Sequence, residues 1–244
     1  MAESISHQRF RNRIEQLEQH VQAVDLSVSY ALDTTKAKIA AGGTILGALG
    51  KTHAKYSRLK HPVNHAPRIF NFSKSLNFEH AVITLYRYFG EYLRGVLEEM
   101  YTKDPLAVVG KVQGNSLQFH ELVALGSYQA IAQKMIDTTF RRLEDERSTT
   151  KLFDKILGHT KIVVTQVTKD AALKHLEMRH LFIHNNGKCD ALFEKNYGAH
   201  FGLKDGNDLP TNYKTTSAAI NSVVALLKEV DQFLIAGSFI PARV

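Results

Sequence analysis

Apolar residues in this chain recur at helical spacing in one window after another and nowhere alternate long enough to form a strand, which confines the fold to packed helices. The first window is Phe10, Ile14, Leu17, Val21, Val24, Val28 and Ala31, a heptad stripe on a long helix. β-Branched Ile14, Val21 and Val28 share one seam position, a choice that suits two-stranded pairing. A helix packed against its own domain shows the same stripe over this length, so both readings stand. A second helix is expected from about Asn77 to Tyr101, with Val82, Leu85, Phe89, Leu93, Val96 and Met100 on one face and Asp104-Pro105 closing it. A third helical region, about Leu117 to Glu146 and broken near Gly126, turns Ile131, Met135, Ile136, Phe140 and Leu143 inward and ends in the charged run from Arg141 to Arg147. After a short segment from Thr150 to Leu157, a helix from about Lys161 to His184 stops at Asn185-Asn186-Gly187, residue types that accept left-handed backbone. A glycine-rich and asparagine-rich excursion over residues 188–213 follows, and a last helix from about Thr215 to Ala236 buries Ile220, Val223, Val224, Leu227, Val230 and Leu234. The expected fold class is therefore all-α, a helical bundle with a long N-terminal helical extension.

Punctuation divides the chain. Gly42, Gly43, Gly47 and Gly50 weaken the first helix, and the stretch from Lys51 to Ser75 holds His61-Pro62, Ala66-Pro67 and the cations Lys51, Lys55, Arg58, Lys60, Arg68 and Lys74. The organisation expected from this is a helical arm over residues 1–60, a basic linker over 61–75 and a helical domain over 76–240. The linker charge suits either a solvated connector or a strip that faces phosphates.

Composition bounds the rest. In 244 residues, 44% apolar and 23% charged side chains match a folded globular domain and set aside disordered and collagen-like classes. A net charge of +7 tilts the reading toward a polyanionic partner. One cysteine, Cys189, excludes an intramolecular disulfide and any paired-cysteine zinc or redox motif, which fits a reducing compartment. The first residues contain no apolar signal core, and the small-residue stretch Ile39 to Gly50 is far shorter than a bilayer span, so a soluble, cytoplasmic protein with no membrane contact is expected.

The segment that carries chemistry is Arg179-His180-Leu181-Phe182-Ile183-His184-Asn185-Asn186-Gly187. It puts a permanent forked cation and a titratable imidazole at a helix end: Arg suits a phosphate, and His both takes and gives protons near neutral pH. An Arg followed by a His at comparable spacing also occurs at Arg13/His20 and Arg58/His65. Only Arg179/His184 adds a polar residue after the Arg, an apolar triplet and Asn-Asn-Gly behind the His. On a continuous helix Arg179 and His184 point about 140° apart. Two arrangements bring them to one phosphate: unwinding of the last turn, or the same helix end from a second subunit across a two-fold axis. The second also supplies His184 twice, one copy as base and one as acid, with two Arg179 guanidiniums to stabilise charge on the phosphate. His180, one turn before His184, reads as a hydrogen-bond partner that orients the site or as a satisfied half-buried histidine. Asn185 reads as a phosphate donor or as a helix cap.

This segment resembles the HEPN superfamily, whose signature is an Arg, often followed by Asn, Asp or His, then a spacer of about four to six residues and a His near a helix end in an all-α bundle. Arg179, His180 and His184 match it as R-H-L-F-I-H. The resemblance covers this motif and the helical layout of about residues 75–240, and does not extend to the first 60. It implies a metal-independent endoribonuclease that acts as a homodimer on RNA in a toxin–antitoxin, abortive-infection or antiviral system, with an antitoxin or sensor protein as a further partner and no cofactor. It assigns Arg179 and His184 to catalysis, with His180 and Asn185 supporting RNA. Some members of the superfamily bind RNA or nucleotides without cleaving. In others a tyrosine two residues after the His is modified by a partner enzyme; Asn186 stands there, so that regulation does not carry over.

A zinc reading of His180, His184 and Cys189 lacks the intervening Glu of a metalloprotease helix and a second ligand pair, so no metal is expected. No phosphate-binding glycine loop, paired-carboxylate centre or nucleophile elbow is present. The alternative from another class is a non-catalytic helical module that binds RNA or protein through its N-terminal heptads.

Overall fold

A computed structural model describes residues 2–51, 53–104, 118–144, 149–157, 160 and 162–243. Among these, all regular structure is helical apart from three isolated bridges. Helix α1 spans Ile5–Lys36, α2 Ala66–Lys103, α3 Phe119–Leu125, α4 Tyr128–Glu144, α5 Thr149–Leu157, α6 Gln166–His184 and α7 Tyr213–Ala236. No described helix is long and apolar enough to cross a membrane.

The long pair α1 and α2 forms the frame. Ser4 caps α1 by accepting from the His7 N–H at 3.0 Å. Phe10, Ile14, Leu17 and Val21 are buried in the same core as Phe78, Leu85, Phe89, Leu93 and Val96 of α2 and Val223, Leu227 and Val230 of α7. The first half of the heptad seam is thus covered from within the chain, and α1 belongs to the bundle instead of standing off as an arm over residues 1–60. Close approach of α1 to α2 needs Gly95: a Cβ there would lie 2.4 Å from Ser6 Oγ.

The expected linker over 61–75 is replaced by folded structure. A helical turn at Ile45–Ala48 and 3-10 turns at Ala54–Leu59 and Val63–His65 form a small lobe, and α2 begins already at Ala66. The physical reason is Pro67. It sits in the first turn of α2, where its missing N–H costs nothing and its fixed φ favours the helix, so Ala66-Pro67 starts a helix and does not break one. Ile45, Leu46 and Val63 of the lobe are buried, and backbone bonds from Ile45 to His61 (2.9 Å) and Val63 to Gly43 (3.0 Å) fasten it.

Helix α6 runs through the middle of the assembly. Ala172, Leu173 and Leu176 join the main core, and Met178, Leu181 and Phe182 near its far end join a second cluster with Val82 of α2 and Cys189, Phe193 and Leu209. The excursion after α6 is therefore a folded cover with an apolar interior. The last helix matches its expected bounds closely, and Leu226 is buried with the residues named for it while Val224 is half-buried. Ile136 of α4 is buried as expected. The side chains of Phe140, Leu143 and the run Arg141 to Arg147, as well as Pro105 and Leu117, lie outside the described residues.

Candidate functional site

Helix α6 delivers the motif because its end is held on two sides while its tip is left open. Met178, Leu181 and Phe182 are buried, whereas Ile183 is 44% exposed and His184 is exposed; Arg179 and His180 are half-buried. At about 100° per residue, Arg179, Ile183, His180 and His184 fan across the open face in that order, with Arg179 and His184 at its two edges. The last turn stays wound: Asn185 N–H donates to the Leu181 carbonyl at 2.9 Å. Within one chain, then, the motif is not gathered by unwinding.

The stop beyond it is built from left-handed backbone. Asn186 has φ 52° and Gly187 has φ 71°, which turns the Gly187 N–H back to the same Leu181 carbonyl at 3.0 Å. A Cβ on Gly187 would also press on Phe182 Cδ1 at 3.3 Å. Asn185 Nδ2 donates to the Lys188 carbonyl at 2.8 Å, which closes the turn. The chain then leaves through Cys189, whose backbone pairs with Asn207 (2.8 Å) and Gly206 (2.9 Å), and Leu209 N–H returns to the Gly187 carbonyl at 2.8 Å. These bonds fix the cover against the helix end.

The guanidinium of Arg179 lies over the Tyr86 ring of α2, 4.7 Å from its centroid. The rings of His180 and His184 stand 4.8 Å apart at 46°. Among the described residues neither imidazole, nor the guanidinium, has a hydrogen-bond or ion-pair partner in the protein. His175, two turns earlier on the same helix, is the opposite case. It is 5% exposed, its Nδ1–H donates to the Ala171 carbonyl at 2.8 Å, and Ser222 Oγ lies 3.3 Å away. Burial pulls its pKa down to about 4, against the upward pull of the Ala171 bond and with help from Lys174 and His200. His175 holds structure, while His180 and His184 have donors and acceptors left over.

Glu177, two residues before Arg179, is engaged: Thr149 N–H at the start of α5 donates to it at 2.6 Å. Cys189 is 1% exposed inside the second apolar cluster, and among the described residues no three His, Cys, Asp or Glu side chains gather as a metal set. Tyr86 and Ile183 are the members of this surface that sequence reasoning missed. Ile183 carried a readable signal, an apolar residue between two histidines on the polar side of a helix end. Tyr86 carried none, because its contact with Arg179 joins positions far apart in the chain.

Comparison with protein-family models, with curated proteins and with solved structures returned no match.

Proposed function

We propose that this protein is a metal-independent endoribonuclease that cleaves single-stranded RNA at Arg179 and His184, in a site completed by a second copy of the chain. The observation that carries the reading is the open end of α6, where one guanidinium and two imidazoles reach the surface without a hydrogen-bond or ion-pair partner among the described residues. In the reaction, a base takes the proton of a ribose 2′-hydroxyl, whose oxygen attacks the adjacent phosphorus. The 5′-oxygen leaves with a proton from an acid, giving a 2′,3′-cyclic phosphate. One His184 acts as base and the other as acid, and each contributes about 10²–10⁴-fold. Arg179 offers its forked donors to the phosphate oxygens as charge accumulates, and the Tyr86 ring keeps the guanidinium from collapsing onto the helix. His180, in ring contact with His184, orients it. Two arguments favour a second copy: the wound last turn keeps Arg179 and His184 of one chain at opposite edges of the face, and exposed Ile183 between them is an apolar surface for a partner to cover. A place in a toxin–antitoxin or antiviral system, with an antitoxin or sensor partner, follows from the HEPN resemblance alone.

The test is cleavage of single-stranded RNA in EDTA by the wild type, His184→Ala and Arg179→Ala. The expected result is metal-free cleavage that both substitutions abolish. Equal cleavage by all three, or none by folded wild type across varied RNAs, overturns the reading and leaves the non-catalytic module. Light scattering that shows a strict monomer at micromolar concentration overturns the shared site.

A further inference from the structure

The positive charge of the chain is concentrated in one place. Residues 34–78 contain eight Lys or Arg side chains and no Asp or Glu, against a net charge of +7 for all 244 residues, so the remainder of the chain is close to neutral. Most of these cations sit on the lobe between α1 and α2. Lys36, Lys51, Lys55, Arg58 and Lys60 are exposed, and among the described residues none of them has a carboxylate partner. Two other cations of the stretch are engaged: Lys38 donates to the Ala48 carbonyl at 2.7 Å and Lys74 pairs with Asp25 at 2.6 Å. The lobe also presents an aromatic ring. Tyr56 is 37% exposed, with Lys55 Nζ 4.9 Å from its centroid and the edge of His53 against it.

We infer that this lobe is the docking surface for the RNA backbone, gripping phosphates with Lys51, Lys55, Arg58 and Lys60 and stacking a base on Tyr56, so as to lead the strand to the end of α6. The inference rests on the ribonuclease reading for its destination. Unpaired cations beside an exposed ring are the combination that holds single strands without regard to sequence. The folded lobe carries them on a fixed frame, which lowers the ordering cost of binding. Its place in the fold agrees. The cover after α6 touches α2 at Ser75, where Thr211 Oγ1 donates at 2.9 Å, and the motif end packs on Val82, about 24 Å along α2 from the lobe at Ala66. The cover and the motif end thus meet the same half of α2 from which the lobe extends.

The test is fluorescence anisotropy with a labelled single-stranded oligouridine of roughly 16 nucleotides, over a series of salt concentrations. It uses the full chain carrying His184→Ala so that the probe stays intact. To this protein are added either Lys51→Gln, Lys55→Gln, Arg58→Gln and Lys60→Gln, or a control set of equal charge change, Lys103→Gln, Lys134→Gln, Lys195→Gln and Lys228→Gln. The lobe set is expected to flatten the slope of log affinity against log salt by about 3 and to weaken binding at least about tenfold, the control set to leave the slope near its parent value. Urea midpoints equal to the parent's show that the fold is kept. Equal slopes for the two sets, an unchanged slope for the lobe set, or binding to phosphatidylserine vesicles in place of RNA overturns the inference. Metal-free cleavage by wild type is read separately: cleavage with a lobe set that binds like its parent removes the docking surface alone, and no cleavage with a flattened slope removes the ribonuclease reading alone.

Discussion

The two ends of the bundle treat polar groups in opposite ways. At the end where α1 begins, Asp231 of α7 is 2% exposed and accepts from Ser4 N–H at 3.0 Å and Ser4 Oγ at 2.5 Å, with Tyr92 OH 3.5 Å away. Beside it, Glu99 of α2 accepts from the Ser6 N–H at 2.8 Å and from its hydroxyl. Burial lifts the Glu99 carboxyl above the ordinary carboxylate range, although the Ser6 bonds oppose it. At the end where α6 stops, Arg179, His180 and His184 have no such partners. Buried polar groups are costly unless satisfied, so the first set locks helices together; surface groups without hydrogen-bond or ion-pair partners add little to stability. Stability and the proposed reactivity therefore fall on different residues, and substitutions can separate them.

The largest effect expected is at the open end. His184→Ala removes the base and the acid of the two-fold site together, so it is expected to reduce RNA cleavage by at least about 10⁴-fold and to leave the urea midpoint within about 0.5 kcal/mol of wild type. A large loss of stability would break the comparison, since it would make His184 a structural residue. At the other end Asp231→Ala strands the Ser4 donors and is expected to cost about 3 kcal/mol of stability. Cleavage per folded molecule should be unchanged, and the ratio of activity to folded fraction checks it.

How much of this was legible in the sequence follows from how local each cause is. The helices were, because apolar spacing such as Val82, Leu85, Phe89, Leu93 is a property of neighbouring positions. The stop after His184 was equally local, written in Asn185-Asn186-Gly187. Pro67 was misread because one residue type serves both as a breaker and as a first-turn residue, and only the packing of the lobe decides between them. The seating of α1 was left open for a similar reason: a stripe does not say whether its cover is the same chain or another. Within the candidate site, the residue types and their order were readable, whereas Tyr86 under Arg179 depends on tertiary placement.

The next effect sharpens the contrast within α6 itself. His175 has a folded pKa near 4, below the ordinary histidine value of 6.5, so folding favours its neutral form. Its contribution is complete above the unfolded value and is lost as pH falls from 6.5 toward 4, by about 3 kcal/mol in all. Denaturation at a series of pH values is expected to show this slope, and His175→Gln to remove it. Glu99 acts with the opposite sign: its raised pKa means that stability rises as pH falls through the folded value, and Glu99→Gln isolates that part. If His184→Gln removed the acid slope as His175→Gln does, the division of roles along α6 would fail.

The smallest effect is expected at Gly187, where φ is 71° and Phe182 lies against the missing Cβ. Gly187→Ala should cost about 1–2 kcal/mol. Because the same turn seats the cover over α6, it should also make backbone amides of residues 185–189 exchange faster with solvent. Unaltered exchange there would mean that the cover holds itself in place without the turn.

The position of α6 between α2 and α7 has a consequence for how the protein is made. Leu173 and Leu176 share a core with Val223, Leu227 and Val230, and α7 follows α6 in the chain. As the polypeptide leaves the ribosome, the motif is synthesised well before the helix that seats it. Until α7 emerges, Asp231 is also missing from the start of α1, and the bundle is open at both ends. A nascent chain that already contains Arg179 and His184 therefore lacks the α7 partners of Leu173 and Leu176, and the helix that carries them is fully packed only with the last helix in place.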